Sequence, residues 1–205
     1  MIKRYFAELM LLLLFVLLPG CTSILRSDMV TFHEGSLPKG ETIRVEARDA
    51  AKTQSLEFRN YARLIGAKLD KLGYSFVDDP AAQTALIAQV DYSVTQGPTE
   101  VRLDPPMRPF VHYHFYYGRY YDPYYFGLDD EWPRDIVTTP NYLRNLSMII
   151  VKNTEGKPHV FEGRVQSRGQ QNMLPEVMPY LITALFTNFP GENGVTKVVT
   201  IDMDE

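Results

Sequence analysis

The spacing of apolar residues changes period along this chain, and a strand period giving way to a helix period restricts the fold more than any single residue does. Within residues 42–48, Ile43, Val45 and Ala47 alternate with Arg44, Glu46 and Arg48, the period of a half-buried strand. Past residue 55 the period lengthens. Phe58, Tyr61 or Ala62, Ile65, Leu69 and Leu72 recur at three and four, which places them on one face of a helix. Ser55 is a suitable N-cap, Glu57 suits the positive first turn, and Gly73 marks the C-terminal stop.

The other segments repeat this grammar. Residues 28–34 put Val30 and Phe32 on one face of a strand, and Gly35 and Gly40 bound the turn that leads into residues 42–48. Leu86, Ala88, Val90, Tyr92 and Val94 alternate up to Gly97-Pro98. Residues 142–152 and 159–167 read as a hairpin around residues 153–157. Its first strand is apolar on both sides between Met148 and Val151 and belongs at the sheet centre; Glu162, Arg164 and Gln166 leave one side of its partner wet. Pro175 and Pro179 fit only an opening turn, after which Leu181, Ile182, Leu185, Phe186 and Phe189 form an apolar stripe stopped by Pro190-Gly191. Residues 195–202 return as a strand. The order β-β-α-β, insert, β-β-α-β, with one-sided helices, predicts an α+β fold: a mostly antiparallel sheet with two helices packed on one face, plus an aromatic-rich insert.

The N-terminus has the form of a leader. Lys3 and Arg4 precede an apolar run over residues 9–18, long enough for a signal-peptide core and too short to span a bilayer. The run ends at Leu18-Pro19-Gly20-Cys21-Thr22, and Cys21 is the chain's one cysteine. This junction resembles a bacterial lipobox, with Pro19 its departure from the usual pattern, and implies cleavage after residue 20 and diacylation of the Cys21 thiol. The expected organisation is therefore a signal peptide over residues 1–20, a lipidated linker over 21–27 and one α+β domain over 28–205. Thr22 in place of aspartate after the anchor favours outer-membrane sorting by analogy with known lipoproteins. Cleavage removes Lys3, Arg4 and Glu8, moving the formal net charge from −4 to −5, which argues against a nucleic-acid partner.

Four segments carry a family resemblance: Phe58-Arg59-Asn60-Tyr61-Ala62, Val90-Asp91-Tyr92-Ser93-Val94, residues 161–167 beginning Phe161-Glu162-Gly163, and residues 186–194 through Phe189-Pro190-Gly191-Glu192-Asn193-Gly194. Together they resemble a family of bacterial lipoproteins known only as a domain of unknown function. The resemblance implies a cell-envelope lipoprotein with an α+β domain and brings no catalytic residues. The last segment is no phosphate loop, because it ends a helix and enters a strand instead of the reverse. It reads as a turn in which Gly191 and Gly194 take positive φ and Asn193 satisfies local backbone groups.

Residues 97–135 form the insert, and residues 110–126 within it hold seven of the chain's thirteen tyrosines. Prolines at its flanks make it a loop or strand ribbon. In an extended stretch His112, His114 and Tyr116 point one way and Tyr113 and Phe115 the other. His112, Tyr113, His114, Tyr116, Tyr117, Tyr120 and Tyr121 are the candidate binding residues, an amphipathic aromatic surface for an envelope protein or a glycan. A metal or small ligand on the two histidines is the alternative, yet a stable site needs further ligands that no spacing supplies, so no metal or cofactor is expected. There is no Gly-x-Ser-x-Gly elbow, and the one cysteine is committed to the anchor. The expected role is a non-catalytic binding or assembly component, held at the periplasmic side of the outer membrane by its lipid, with a hydrolase the remotest reading.

Overall fold

The computed structural model describes residues 23–35, 37–103 and 136–204. The leader, Cys21 and all seven aromatic or histidine candidates from His112 to Tyr121 lie outside them. In chain order the elements are β1 (Ile24–His33), β2 (Thr42–Ala47), a 3-10 turn (Ala50–Lys52), α1 (Leu56–Lys71), β3 (Ser75–Phe76), β4 (Leu86–Gln96), β5 (Glu100–Leu103), β6 (Ile136–Thr139), β7 (Tyr142–Lys152), β8 (His159–Gly169), α2 (Leu174–Phe186) and β9 (Lys197–Asp202). A seven-stranded sheet runs β3-β2-β4-β7-β8-β1-β9, and β5 pairs with β6 beside it. The fold is α+β, with a mixed and mostly antiparallel sheet. Only β2 with β3 and β2 with β4 are parallel, because β2 reaches β3 through the crossover helix α1.

Alternation decides which face is core. Leu86, Ala88, Val90 and Tyr92 of β4, Leu146, Met148 and Ile150 of β7, and Phe161 and Val165 of β8 share one apolar cluster with both helices. Ile87, Ile149 and Val151 form a small cluster on the far side, so β7 is apolar on both sides and lies fourth of the seven strands. From α1 the cluster takes Phe58, Tyr61, Ala62, Ile65 and Leu69; from α2 it takes Val177, Met178, Leu181, Ile182, Ala184 and Leu185. The Phe58 N–H donates to Ser55 Oγ (3.4 Å), the predicted N-cap, and Gly73 has φ +93.

The turn after β1 does not make β1 and β2 neighbours, since β4, β7 and β8 lie between them. Three sequence expectations need correction. The core face of β1 is not that of Val30 and Phe32: Leu25, Ser27, Met29 and Thr31 are buried, and Phe32 is 51% exposed. Ser27 tolerates burial by donating to the Val199 carbonyl (3.3 Å). Strand β1 also begins at Ile24, within the stretch expected as linker. Pro179 lies inside α2, not in its opening turn. Only Pro175 falls in that turn, and the carbonyl that would have accepted from Pro179 belongs to Pro175 at the helix start.

The segment over residues 186–194 is structural, as its sequence suggests. Phe189 packs on Phe161 (centroids 4.7 Å apart) and on Phe186 (5.5 Å), leaving Phe186 at the rim of the core. Gly191 and Gly194 have φ +85 and +74, and a Cβ on Gly191 would lie 2.7 Å from Thr31 Oγ1. The turn is bound to β1: Asn193 Oδ1 accepts from His33 N (3.1 Å), and Gly194 N donates to the Thr31 carbonyl (2.8 Å).

Candidate functional site

Two turns of local chemistry hold β3 against α1. Gly66 leaves no side chain in mid-helix, which costs about 1 kcal/mol of helix propensity, and the ring of Phe76 occupies the space; a Cβ there would come within 2.4 Å of that ring. Asp70 Oδ1 then accepts from Phe76 N (2.8 Å), and Arg63 Nε donates to Asp78 Oδ2 (2.9 Å). Strand β3 is thus fastened to the helix more than to the sheet. It pairs with β2 only at Thr42 and Ile43, Val77 N donates to the Ile43 carbonyl (2.9 Å), and the chain then turns away through Pro80 while β2 continues to Ala47.

A groove of about 740 Å³ opens where the two strands part. Its floor is Val45, Glu46, Ala47 and Arg48; one wall is Phe58, Arg59, Ala62 and Arg63 of α1, and the other is residues 76–80. It lies at the carboxyl ends of two parallel strands and beside the start of a helix, the place where open sheets with crossover helices bind ligands. Backbone groups of alternate residues face the same side of a strand. Those of Ile43 face β3 and those of Arg48 face β4, whose Val90 carbonyl accepts from Arg48 N (2.8 Å), so the N–H and C=O of Val45 and Ala47 point into the groove. Among the described residues no backbone group pairs with them on that side.

The charged lining is mostly committed. Arg44 donates to Glu46 through Nε (2.9 Å) and Nη2, and Arg44 Nη1 donates to the Ala82 carbonyl (2.9 Å). Arg63 holds Asp78, and Asp79 Oδ1 accepts from Ala81 N (2.9 Å). Among the described residues Arg48 and Arg59 have no carboxylate partner. Next to the groove, Lys52 Nζ donates to Asp91 Oδ1 and to the Tyr92 carbonyl (2.7 Å each) and sits 4.4 Å from the centre of the Tyr92 ring. Tyr61 meets Tyr92 edge to face at 5.2 Å and donates to Glu57 Oε1 (2.7 Å). Burial first, then that hydrogen bond to a carboxylate, pushes the Tyr61 phenol well above its ordinary value, and burial raises Tyr92 as well. Neither phenol is set up to give up a proton near neutral pH, so this cluster fastens the start of α1 to β4.

None of the groove residues was singled out as a site in the sequence. The only signal was Arg48 and Arg59 standing beside a strand end and a helix start, and surface arginines are common. His33 Nδ1 lies 3.1 Å from the Gly35 carbonyl, and His159 Nδ1 lies 2.7 Å from Glu162 Oε1, so both histidines are engaged locally. A buried polar pair was also not foreseen. Arg144 and Ser167 face each other across β7 and β8 at 3% and 2% exposure, Arg144 Nε and Ser167 Oγ have no hydrogen-bond partner among the described residues, and desolvation lowers the guanidinium pKa. Among the described residues no three His, Cys, Asp or Glu side chains gather as metal ligands, and no helix is long and apolar enough to cross a membrane.

A family model for a domain of unknown function (DUF4136) matches residues 31–191. No curated protein matches the chain. Among solved structures it is similar to a PDZ domain protein from Parabacteroides distasonis, with 12% identity and a TM-score of 0.46 over 87% of this chain. This chain spans 39% of that protein's length. It is also similar to a PelC dodecamer from Paraburkholderia phytofirmans, with 8% identity and a TM-score of 0.38 over 76% of this chain and 91% of that one.

Proposed function

On the premise that the chain belongs to the DUF4136 family, we propose that it is a lipid-anchored cell-envelope protein, a non-catalytic binding or assembly component facing the periplasm from the outer membrane. The observation that carries the binding role is the groove at the parting of β2 and β3. It combines an unpaired strand edge, an apolar wall at Phe58 and Ala62, and Arg59, which has no carboxylate partner among the described residues. The anchor rests on the charged start, the apolar run over residues 9–18 and the single cysteine that ends it.

These two parts set a geometry. Only Thr22 and Ser23 separate Cys21 from β1, a reach of about 10 Å at full extension. The tether holds the start of β1 close to the lipid headgroups. Ala47 aligns through Val90, Met148 and Gly163 with Thr31, seven residues along β1 from Ile24, so the groove stands about 23 Å further from the anchor. Acyl burial contributes about 0.8 kcal/mol per methylene, enough for two or more chains to hold the protein firmly.

Intact-mass analysis of the full chain made in a bacterial host tests the anchor. The expected product begins at Cys21 and carries acyl mass, and Cys21→Ser abolishes that mass. A mature protein that starts elsewhere without acyl mass overturns it.

A further inference from the structure

We propose that the open edge of β2 takes up an extended segment of a partner protein as an added strand, with a carboxylate of that segment held by Arg59. The inference rests on the binding reading above and names the chemistry of the partner. An unpaired strand edge is a template for main-chain pairing. Here the template is short and bounded. The Ile43 carbonyl is already used by Val77 N, and beyond it Val45 and Ala47 offer two N–H and two C=O groups on the side from which β3 has turned away. An incoming strand continues the path that β3 leaves, and its alternate side chains meet Phe58 and Ala62 on α1.

Charge selects the partner. Glu46 is held by Arg44, Asp78 by Arg63, and Asp79 by a backbone N–H, while Arg48 alternates to the far face of the sheet beside Phe32 and Ile149; among the described residues the cation left over on the helix side is Arg59. Arg59 stands in the first turn of α1 and lines the groove beside the carboxyl end of β2, which places the positive charge there. An acidic residue or a free carboxyl terminus on the added strand supplies the counter-charge. A small anion satisfies Arg59 alone and leaves the main-chain groups of Val45 and Ala47 unpaired, so an extended peptide accounts for more of the groove.

The test pans a displayed library of unconstrained decapeptides on the full chain purified in detergent, then measures the best peptide by fluorescence anisotropy. The expected peptides alternate apolar residues and carry a carboxylate. Their affinity falls by about tenfold or more for Ala47→Pro and for Arg59→Glu. Ala47→Pro removes an N–H that the β4 ladder does not use, so the variant is expected to keep its fold. Should it fail to fold, hydrogen exchange on the parent decides: bound peptide slows the amides of Val45 and Ala47. The proposal is overturned if no peptide is enriched, if Ala47→Pro binds as the parent does, if exchange at those two amides is unchanged, or if inorganic phosphate alone displaces the peptide completely. Missing acyl mass with peptide binding retained defeats the anchor and leaves the groove standing.

Discussion

The two ends of the sheet are finished in opposite ways. Beside β1, the turn after α2 folds back and spends its polar groups on the strand, with Asn193 and Gly194 bonded to His33 and Thr31 and the rings of Phe186 and Phe189 stacked toward Phe161. Beside β2, the two-residue strand β3 is fixed to α1 by Phe76, Asp70 and Asp78, then leaves Val45 and Ala47 without a main-chain partner on that side among the described residues. Helices cover the same face at both ends. The difference is where the connecting chain goes afterward: a turn that returns closes its end, and a loop that departs leaves a groove.

Substitutions ranked by size test this contrast. The largest loss is expected at the closed end, where Phe161 is 1% exposed and Phe161→Ala should cost about 3 to 5 kcal/mol in chemical denaturation. Phe76→Ala, half-buried at the open end, should cost clearly less; equal losses would mean that the two ends are packed alike. Next is Gly66→Ala. Helix propensity alone would gain about 1 kcal/mol, but the added Cβ meets the Phe76 ring, so a net loss of about 1 to 3 kcal/mol is expected. A net gain would show that β3 moves freely and that the groove has no fixed wall.

Asn193→Ala removes the bond to the His33 amide and should cost about 1 kcal/mol, measured by the shift in denaturation midpoint. An unchanged midpoint would mean that the closing turn is held by its aromatic rings alone. The alkaline limb of stability examines the joint between the ends. A phenol whose folded pKa is raised binds its proton more tightly in the fold. The Tyr61 contribution is therefore complete below its unfolded value of 10.0 and is lost as pH climbs above it toward the folded pKa. Stability of the parent should fall above pH 10.0, and Tyr61→Phe should flatten that fall. The smallest effect is Arg59→Glu, on an exposed helix position, with stability expected within about 0.5 kcal/mol of the parent. A larger loss would show that Arg59 holds the fold together instead of waiting for a partner.

Much of the architecture was legible because it is written locally. The stripe of α1 with its Ser55 cap, the hairpin of β7 and β8, and the central place of the strand through Met148 and Val151 follow from period, capping and two-sided apolarity. The turn at residues 189–194 was readable from its glycines. Others were not. Strand β3 is two residues long and has no period to detect, and its presence makes the stretch after α1 the wall of the groove. The buried face of β1 was misjudged because Ser27 and Thr31, small and polar, are the inward residues while Phe32 faces out. Arg59 became a candidate only when its carboxylate neighbours were seen to be engaged with other residues.

Sequence by itself determined the class of fold, the order of most elements and the helix faces. Each is a property of residues near one another in the chain: a period, a cap, an apolar stripe. Tertiary structure decided which strands become neighbours, which edge is left open and which charges find partners. Those outcomes depend on contacts between residues far apart in the chain, and alternate positions of a strand look the same until a neighbour is assigned. Val45 and Ala47 show this most plainly, for in the sequence they are two alternating apolar residues of an ordinary strand. Only the departure of β3 toward α1 leaves their backbone groups facing the groove without a main-chain partner among the described residues.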